Sequence, residues 1–435
     1  MTLLIRGFCW LVWLLVVGLG VFSQAVAHPM PNSVVLLTVH AHRMDAAVQI
    51  PLTELQPAFG HAVGDSSAHL VERLGPALRR YLAQHLRLQS TDGRFWVVTV
   101  GELGVQETQT PLTGPYRELT AQVQLVPPAR ADVRQFVLCY DAVIHQVVTH
   151  KILVAVRQDW AAGQVADDAE PAQVGVIELD VRHNVIPPLA VNLATGSIWA
   201  GFQAMVQLGV RHIAEGTDHL LFLLALLLPA PLLLTKARRW GRFGGVRYSL
   251  RRLLLIVTAF TIGHSLALLL GALGWIRLPG QPVEALIAVS ILVSAVHAWR
   301  PLFPGREAWV AAGFGLVHGL AFASTLANLH LEAVPITLSI VGFNLGIELM
   351  QLFIIALTMP WLLLLSRTPA YPVVRVGGAL LAGVAAVAWL AERLLGQANP
   401  LTRLIGQAVP YAPWLLGTLA LTALVSFWRT RPSAA

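Results

Sequence analysis

Two spacings of hydrophobic residues divide this chain. Over roughly residues 34 to 156 the apolar positions fall in short runs: Val34–Val39, Phe95–Val100, Leu119–Leu125, Phe136–Val148 and Ile152–Val156. They are rich in Val, Leu and aromatics and are separated by Pro and Gly clusters, which predicts β-strands. Ala68–Leu88 instead repeats Leu70, Leu74, Leu78, Leu82 and Leu86, the period of one amphipathic helix. The expectation for residues 28–190 is a β-rich soluble domain, a sandwich with one appended helix. Ala162–Pro171 reads as a small, acidic linker, and Asn184–Thr195 leads into the second region.

From residue 198 to 435 the pattern changes. Apolar segments recur at about 205–228, 251–273, 282–299, 308–327, 334–360, 373–395 and 411–428. Each is long enough for a hydrocarbon core about 30 Å thick, so this part predicts an α-helical polytopic membrane domain of seven transmembrane helices. Basic residues give its orientation. The loop Thr235–Arg252 holds Lys236, Arg238, Arg239, Arg242, Arg247, Arg251 and Arg252 with no acid. Arg300 with Arg306, Arg367 with Arg375, and Arg429 with Arg431 fall on the same side, whereas the opposite loops carry Arg277 and Arg403, apart from Arg393 at a helix end. The soluble domain is therefore expected outside the cytoplasm and the C-terminus inside it. Residues 1–27 resemble a cleavable signal peptide, with Arg6, an apolar stretch from Trp10 to Phe22, and Ala25-Val26-Ala27 as its three parts. The expected location is the bacterial inner membrane.

Composition sharpens this division. Only 12% of the 435 residues are charged and 56% are hydrophobic, far from the quarter or so charged that is usual for soluble domains. His28–Ser197 carries 12 Lys/Arg and 16 Asp/Glu, an ordinary soluble balance, and Ile198–Ala435 carries 17 and 7. The basic excess thus lies in loops beside apolar segments and implies no nucleic-acid partner. Cys139 is the one cysteine beyond the leader, which excludes an intrachain disulfide in the processed chain. No G-x4-G-K-[ST], H-E-x-x-H or G-x-S-x-G motif occurs, so neither ATP coupling nor those hydrolase chemistries is indicated.

The chemistry lies in polar residues inside apolar segments. His212, Glu215, Asp218 and His219 lead directly into Leu220–Leu228, His264 and His318 lie mid-segment, and Asn344 and Glu348 stand one turn apart. Ionisable groups there cost at least about 2.5 kcal/mol each on insertion scales and are seldom incidental. No Lys or Arg lies in the middle of these segments, so the acids and imidazoles need a metal ion or protons. On one continuous helix His212, Glu215 and His219 would share a face with Asp218 at its flank. Imidazole with carboxylate suits Ni²⁺, Co²⁺, Zn²⁺ or Fe²⁺, and scarce Cys and Met argue against Cu(I). His297, near Trp299 and Arg300, reads as interfacial. Phe260–Ala267 and Phe314–Ala321 echo each other, in segments expected to run in the same direction. Gly315-x3-Gly319 and Gly342-x3-Gly346 read as helix-packing contacts.

Three functions fit these residues: a facilitator passing a divalent ion between ligands strung along a path, a membrane-embedded zinc hydrolase with ligands converging on one ion and Ser265 assisting, and a metal sensor or assembly accessory. In the soluble domain, His40 and His42 share a strand face and His28 would begin the processed chain, a conceivable metal-capturing set or an ordinary solvated face. His61, His69, His85, His145, His150 and His183 look scattered. The domain could also contact an extracytoplasmic partner.

The stretches HIAEGTDHLLF (212–222), AFTIGHS (259–265), VEALIAVSI (283–291), FGLVHGLAFA (314–323) and FNLGIELMQL (343–352) resemble the HupE/UreJ family of hydrogenase and urease accessory membrane proteins. The resemblance covers about 198–360 closely and the last two segments in character. It implies a permease for nickel or cobalt, with His212, Asp218 and His219 matching the family's His…Asp-His motif. Two departures stand out. Ile213 rather than Pro follows His212, and about 160 residues precede the motif, as in a longer subtype.

Overall fold

The computed structural model describes residues 31–430 except 65–66, 111–113, 167–168, 277, 329–330, 332, 398 and 409–410. The expected signal peptide, His28 and Arg277 lie outside the described residues. The chain divides into two compact units: a β-rich one, residues up to 37 with 42–156 and 172–192, and a helical one, 38–41 with 157–171 and 193 onward. Arg157–Pro171, which includes the expected linker, thus packs with the helical unit.

The β-rich unit contains β1 (Ser33–Val39), β2 (Met44–Pro51), α1 (Leu52–Phe59), α2 (Ser67–His85), β3 (Leu86–Ser90), β4 (Val97–Thr110), β5 (Gly114–Val126), β6 (Gln135–Tyr140), β7 (Ile152–Asp159), β8 (Ala172–Ile177) and β9 (Leu189–Asn192). A six-stranded sheet runs β4-β5-β2-β1-β7-β8, and a three-stranded sheet runs β3-β6-β9. In β1 and β2 buried and half-buried residues alternate, so Val35, Leu37, Met44, Ala46 and Val48 line one buried face. Leu70, Leu74, Leu78 and Leu82 of α2 are buried as their spacing requires. Leu86, the next leucine of that repeat, instead opens β3, where Leu86, Leu88 and Ser90 are buried at a period of two. The run Phe136–Val148 is strand only to Tyr140, after which Val143 takes a left-handed backbone conformation (φ 70°) that ends the ladder. Beyond the expected elements stand β2, α1, β8 and β9. None has a long apolar run to reveal it.

The helical unit contains α3 (Ile198–Glu215), α4 (Thr217–Leu227), a hairpin of β10 (Leu232–Leu234) and β11 (Trp240–Phe243), then α5 (Val246–Ala272), α6 (Gly280–Trp299), α7 (Glu307–Asn328), α8 (Ala333–Leu365), α9 (Tyr371–Leu395), α10 (Pro400–Ala408) and α11 (Ala412–Thr430). Among the described residues α5, α6, α8 and α9 are long and apolar enough to cross a membrane; α10 and α11, bent by 71°, make a fifth span if counted together. The first expected span is broken. Gly216 adopts an extended conformation (ψ 95°), and α3 ends there before α4 begins. Leu255, Ile262 and Leu266 of α5 and Leu380, Leu381 and Val384 of α9 are exposed, an apolar exterior of the kind lipid covers.

Glycines bring two helix pairs into backbone contact. A Cβ on Gly263 would strike the Ala312 carbonyl, and one on Gly315 would strike the Phe260 carbonyl. On the second pair, Gly209 lies against the Phe343 carbonyl and Gly346 against that of Val206. Contacts progress along both chains together, from Phe260–Gly315 to Gly271–Ala323 and from Phe202–Gly342 to Val206–Gly346. Thus α5 and α7 run parallel, as do α3 and α8. The echo of Phe260–Ala267 in Phe314–Ala321 therefore falls on helices that face each other. The Trp160 indole rests on Gly201 and donates to Ser339 Oγ at 2.8 Å, tying residues before α3 to both members of the second pair.

Candidate metal centre

Each helix of the two glycine-packed pairs contributes one polar side chain to a common interior: His264 from α5, His318 from α7, His212 from α3 and Asn344 from α8. The short α4 adds Asp218 and His219. His264 and His318 are fully buried and His219 is 6% exposed. The rings follow one another: His264 to His212 at 6.3 Å between centroids, His212 to His219 at 4.6 Å, and His219 to His318 at 5.0 Å. Phe222 and Phe260 flank His318, and Phe322 and Phe343 flank His212. The walls are apolar, so the imidazoles can turn only to one another and to a few fixed oxygens.

Those oxygens decide which nitrogen carries each proton. Ser290 Oγ donates to the Ile287 carbonyl at 2.7 Å, so it can only accept from His318 Nε2 at 2.9 Å. His318 Nε2 is therefore protonated and its Nδ1 bears a lone pair. Asp218 Oδ1 lies 3.0 Å from His219 Nδ1 and also accepts the His219 main-chain N–H at 2.9 Å. With that carboxylate ionised, His219 Nδ1 is the donor and Nε2 bears the lone pair. These two unprotonated nitrogens, His219 Nε2 and His318 Nδ1, face each other at 3.4 Å. Two lone pairs so placed repel unless a cation lies between them. Their separation matches the edge of about 3.4 Å of a tetrahedron with metal–nitrogen bonds of about 2.1 Å.

Asp218, His219 and His318 are the group of His, Cys, Asp or Glu side chains whose ligand atoms converge within 4.8 Å of one another among the described residues. A carboxylate on the far nitrogen of a ligating histidine fixes its ring and raises its basicity, the position Asp218 holds. His264 adds a further lone pair. Asn344 Nδ2 donates to the Ile340 carbonyl at 2.8 Å, which turns Oδ1 toward His264 Nδ1 at 3.2 Å. His264 Nε2 is then unprotonated, buried and without a hydrogen-bond partner, and His212 Nε2 is likewise buried and unpartnered among the described residues. Gly216 lies in the midst of this cluster. A Cβ there would come within 2.6 Å of the His212 carbonyl and 2.8 Å of His219 Nδ1.

Two expected residues stand apart. Glu215 is exposed and lines, with Asp218 and Glu284, a cavity of about 330 Å³ beside the cluster. Glu348 is half-buried, and its Oε1 lies 3.5 Å from Thr258 Oγ1. The single-face arrangement of His212, Glu215 and His219 is replaced by the break at Gly216, which separates Glu215 from His219 while keeping His212 and His219 in contact. Ser265 donates to the Thr261 carbonyl, committing its hydroxyl to the backbone. Sequence reasoning missed Ser290, whose hydroxyl sets the tautomer of His318 from a helix of otherwise unremarkable polarity. Nothing in the spacing of α6 distinguishes it from Ser294.

His297 is 1% exposed and belongs to the opposite end of the helical unit, packed beneath the hairpin. Its ring stacks on Phe303 at 4.0 Å, and its carbonyl accepts from the Trp240 indole at 3.0 Å. Leu302 N–H donates to His297 Nδ1 at 3.1 Å, so the Nε2 of its neutral ring carries the proton. Glu307, paired with Arg252 at 2.6 Å, stands 3.9 Å from that Nε2. In this setting the Nδ1 lone pair of His297 is taken, and its Nε2 has no hydrogen-bond partner among the described residues.

Residues 190–393 match the family model described as HupE / UreJ protein. No curated protein and no solved structure matches the chain. The matched stretch contains His212, Asp218, His219, His264, His318 and Asn344 together with both glycine-packed helix pairs. Through these residues the stretch 190–393 is similar to the HupE/UreJ family.

Proposed function

We propose that the helical unit is a seven-span membrane facilitator for a divalent transition-metal ion, nickel or cobalt before zinc. The observation that carries this reading is the lone-pair contact between His219 Nε2 and His318 Nδ1 at 3.4 Å, continued by the unpartnered Nε2 atoms of His212 and His264. A cation entering over Glu215 and Asp218 would meet imidazole nitrogens in succession, each leaving the next within reach. Neutral nitrogens release ions faster than thiolates do, as conduction requires. Inward movement of a doubly charged ion gains about 4.6 kcal/mol per 100 mV of membrane potential, so ATP is not needed. Seven spans follow if α3 with α4, and α10 with α11, each count as one. The parallel pairs α5/α7 and α3/α8 support that alternation, because each pair must be separated by an odd number of crossings. Basic loops favour an extracytoplasmic β-rich unit and a cytoplasmic C-terminus.

A second reading, a membrane-embedded zinc hydrolase, draws on the convergence of Asp218, His219 and His318. Asp218 Oδ1, however, is occupied by two N–H groups of His219. Two imidazoles and the other Asp218 oxygen remain, the three protein ligands that catalytic sites use, so turnover rather than ligand count separates this reading from the first. Accumulation of nickel or cobalt by metal-limited cells tests the facilitator: uptake by His219→Ala equal to that of the unsubstituted protein removes it. One tightly held zinc equivalent with lipid or peptide turnover establishes the hydrolase instead.

A further inference from the structure

The seam between α6 and α9 packs unlike the two glycine-packed pairs. Where Gly263, Gly315, Gly209 and Gly346 press backbone against backbone, Gly383 of α9 leaves room. A Cβ there would meet Ala295 Cβ at 3.8 Å and Leu292 Cδ1 at 4.0 Å, ordinary contacts. Over this low surface opens an apolar groove of about 450 Å³, within the range of about 300–1,000 Å³ usual for ligand sites. Ala379, Gly383, Val387 and Ala391 line it at steps of four, one face of α9. That run measures about 18 Å at about 1.5 Å per residue. It is close to half of a hydrocarbon core of about 30 Å, the reach of a lipid chain from one leaflet.

The two ends of the groove differ in charge. Asn399 and Leu401 close one end, where no lining residue is charged. At the other end Arg300 is exposed and lies over the Trp299 ring, its Cζ 4.9 Å from the centroid. Arg375 of α9 donates through Nη1 to the carbonyls of Ala298 and Trp299, which end α6. Its Nε is buried and has no hydrogen-bond partner among the described residues, a donor that calls for an acceptor. Glu307 is the only acid in residues 228–252, 296–308 and 360–380, and it pairs with Arg252 at 2.6 Å. Two guanidinium groups at one end of an apolar groove, with no carboxylate to neutralise them, complement a phosphate.

We propose that this groove binds one anionic phospholipid from the leaflet on the Trp299 side, its acyl chain laid along Ala379–Ala391 and its phosphate on Arg300 and Arg375. Basic pockets between membrane helices hold anionic headgroups by the same attraction. The site shares with the proposed function only the membrane setting of α6 and α9. No histidine of the metal centre lines it, and its test uses no metal.

That test takes the full-length protein, delipidated in detergent, and titrates it with phosphatidylglycerol or phosphatidylcholine of the same acyl chains. Native mass spectrometry counts the bound lipid. One phosphatidylglycerol should be held at least about tenfold more tightly than phosphatidylcholine. Arg300→Gln should cut that preference about fivefold, and Gly383→Leu, which fills the groove, should remove the bound lipid. Arg300 is exposed, so its variant decides the matter even where Gly383→Leu fails to fold. Equal retention of the two lipids, the mark of ordinary lipid contact, overturns the proposal. So does an unchanged preference in Arg300→Gln, or unchanged binding in folded Gly383→Leu. A dimer that Gly383→Leu dissociates and added lipid does not would assign the groove to a second copy instead.

Discussion

His318 and His297 lie at opposite ends of the helical unit, and each is at most 1% exposed. Burial alone would rank them together. Their partners separate them. Ser290 Oγ accepts from His318 Nε2 and frees Nδ1 toward His219, whereas the Leu302 amide takes the lone pair of His297 and leaves a ring with none free. A buried histidine is a candidate ligand when its fixed neighbour accepts, and a structural residue when its fixed neighbour donates to the one lone pair.

The sharpest test of this contrast replaces each ring in turn. His318→Ala should cut nickel or cobalt accumulation at least about 100-fold, as expected when a ligand itself is removed. His297→Asn, which can still accept from Leu302 N–H, should leave the bound metal stoichiometry of purified protein unchanged. Loss of the ion in both variants at equal folded yield would erase the distinction.

His150 extends the contrast to the β-rich unit, where Ser33 Oγ lies 2.7 Å from its Nε2 and Glu54 Oε2 lies 3.6 Å from its Nδ1. Burial pushes the His150 pKa down to about 4 from an ordinary 6.5. Between those values the unfolded chain binds the extra proton, so folded stability should fall as pH drops from 6.5 toward 4, by on the order of 3 kcal/mol in full. Burial raises the Glu54 pKa above 4.5, which acts in the opposite sense near the bottom of this range. Hydrogen-exchange protection of β1, β2 and β7 that stays flat from pH 6.5 to 5 would contradict a neutral, desolvated His150.

Asp218→Asn should weaken metal binding by about 10- to 100-fold, because an amide can present its N–H to His219 Nδ1 and reverse that ring's tautomer. Isothermal titration with Ni²⁺ measures this, and an unchanged affinity would show that Asp218 does not orient His219. The smallest effect is expected for Glu348→Gln. Its carboxylate stands beside Thr258 rather than in the cluster, so uptake should change less than about threefold, as for a site away from such features.

These contrasts also mark how far the sequence could be read. Apolar spacing located α5, α6, α8 and α9 because a span needs a long apolar run, and the leucine repeat located α2 until its period changed at Leu86. His212, Asp218, His219, His264, His318 and Asn344 were legible as polar residues in apolar surroundings. The donors and acceptors around them were not. Ser290 lies on another helix and differs from neighbouring serines only in where packing places it. Glu215 and Glu348 looked equivalent to the clustered residues because spacing reports a helix face, not which neighbour the face meets.

The break at Gly216 has an electrostatic consequence of its own. Because α3 ends where α4 begins, the carbonyl end of one half-helix and the amide end of the next meet beside the histidines. A helix carries roughly half a positive charge at its amide end and half a negative charge at its carbonyl end. Asp218, in the first turn of α4, thus stands at an end that favours negative charge, while the last carbonyls of α3 add negative potential toward an arriving cation. A continuous helix would present neither end beside the histidines. One extended glycine therefore sets two opposite helix ends in an apolar interior, at the cost of a few backbone hydrogen bonds.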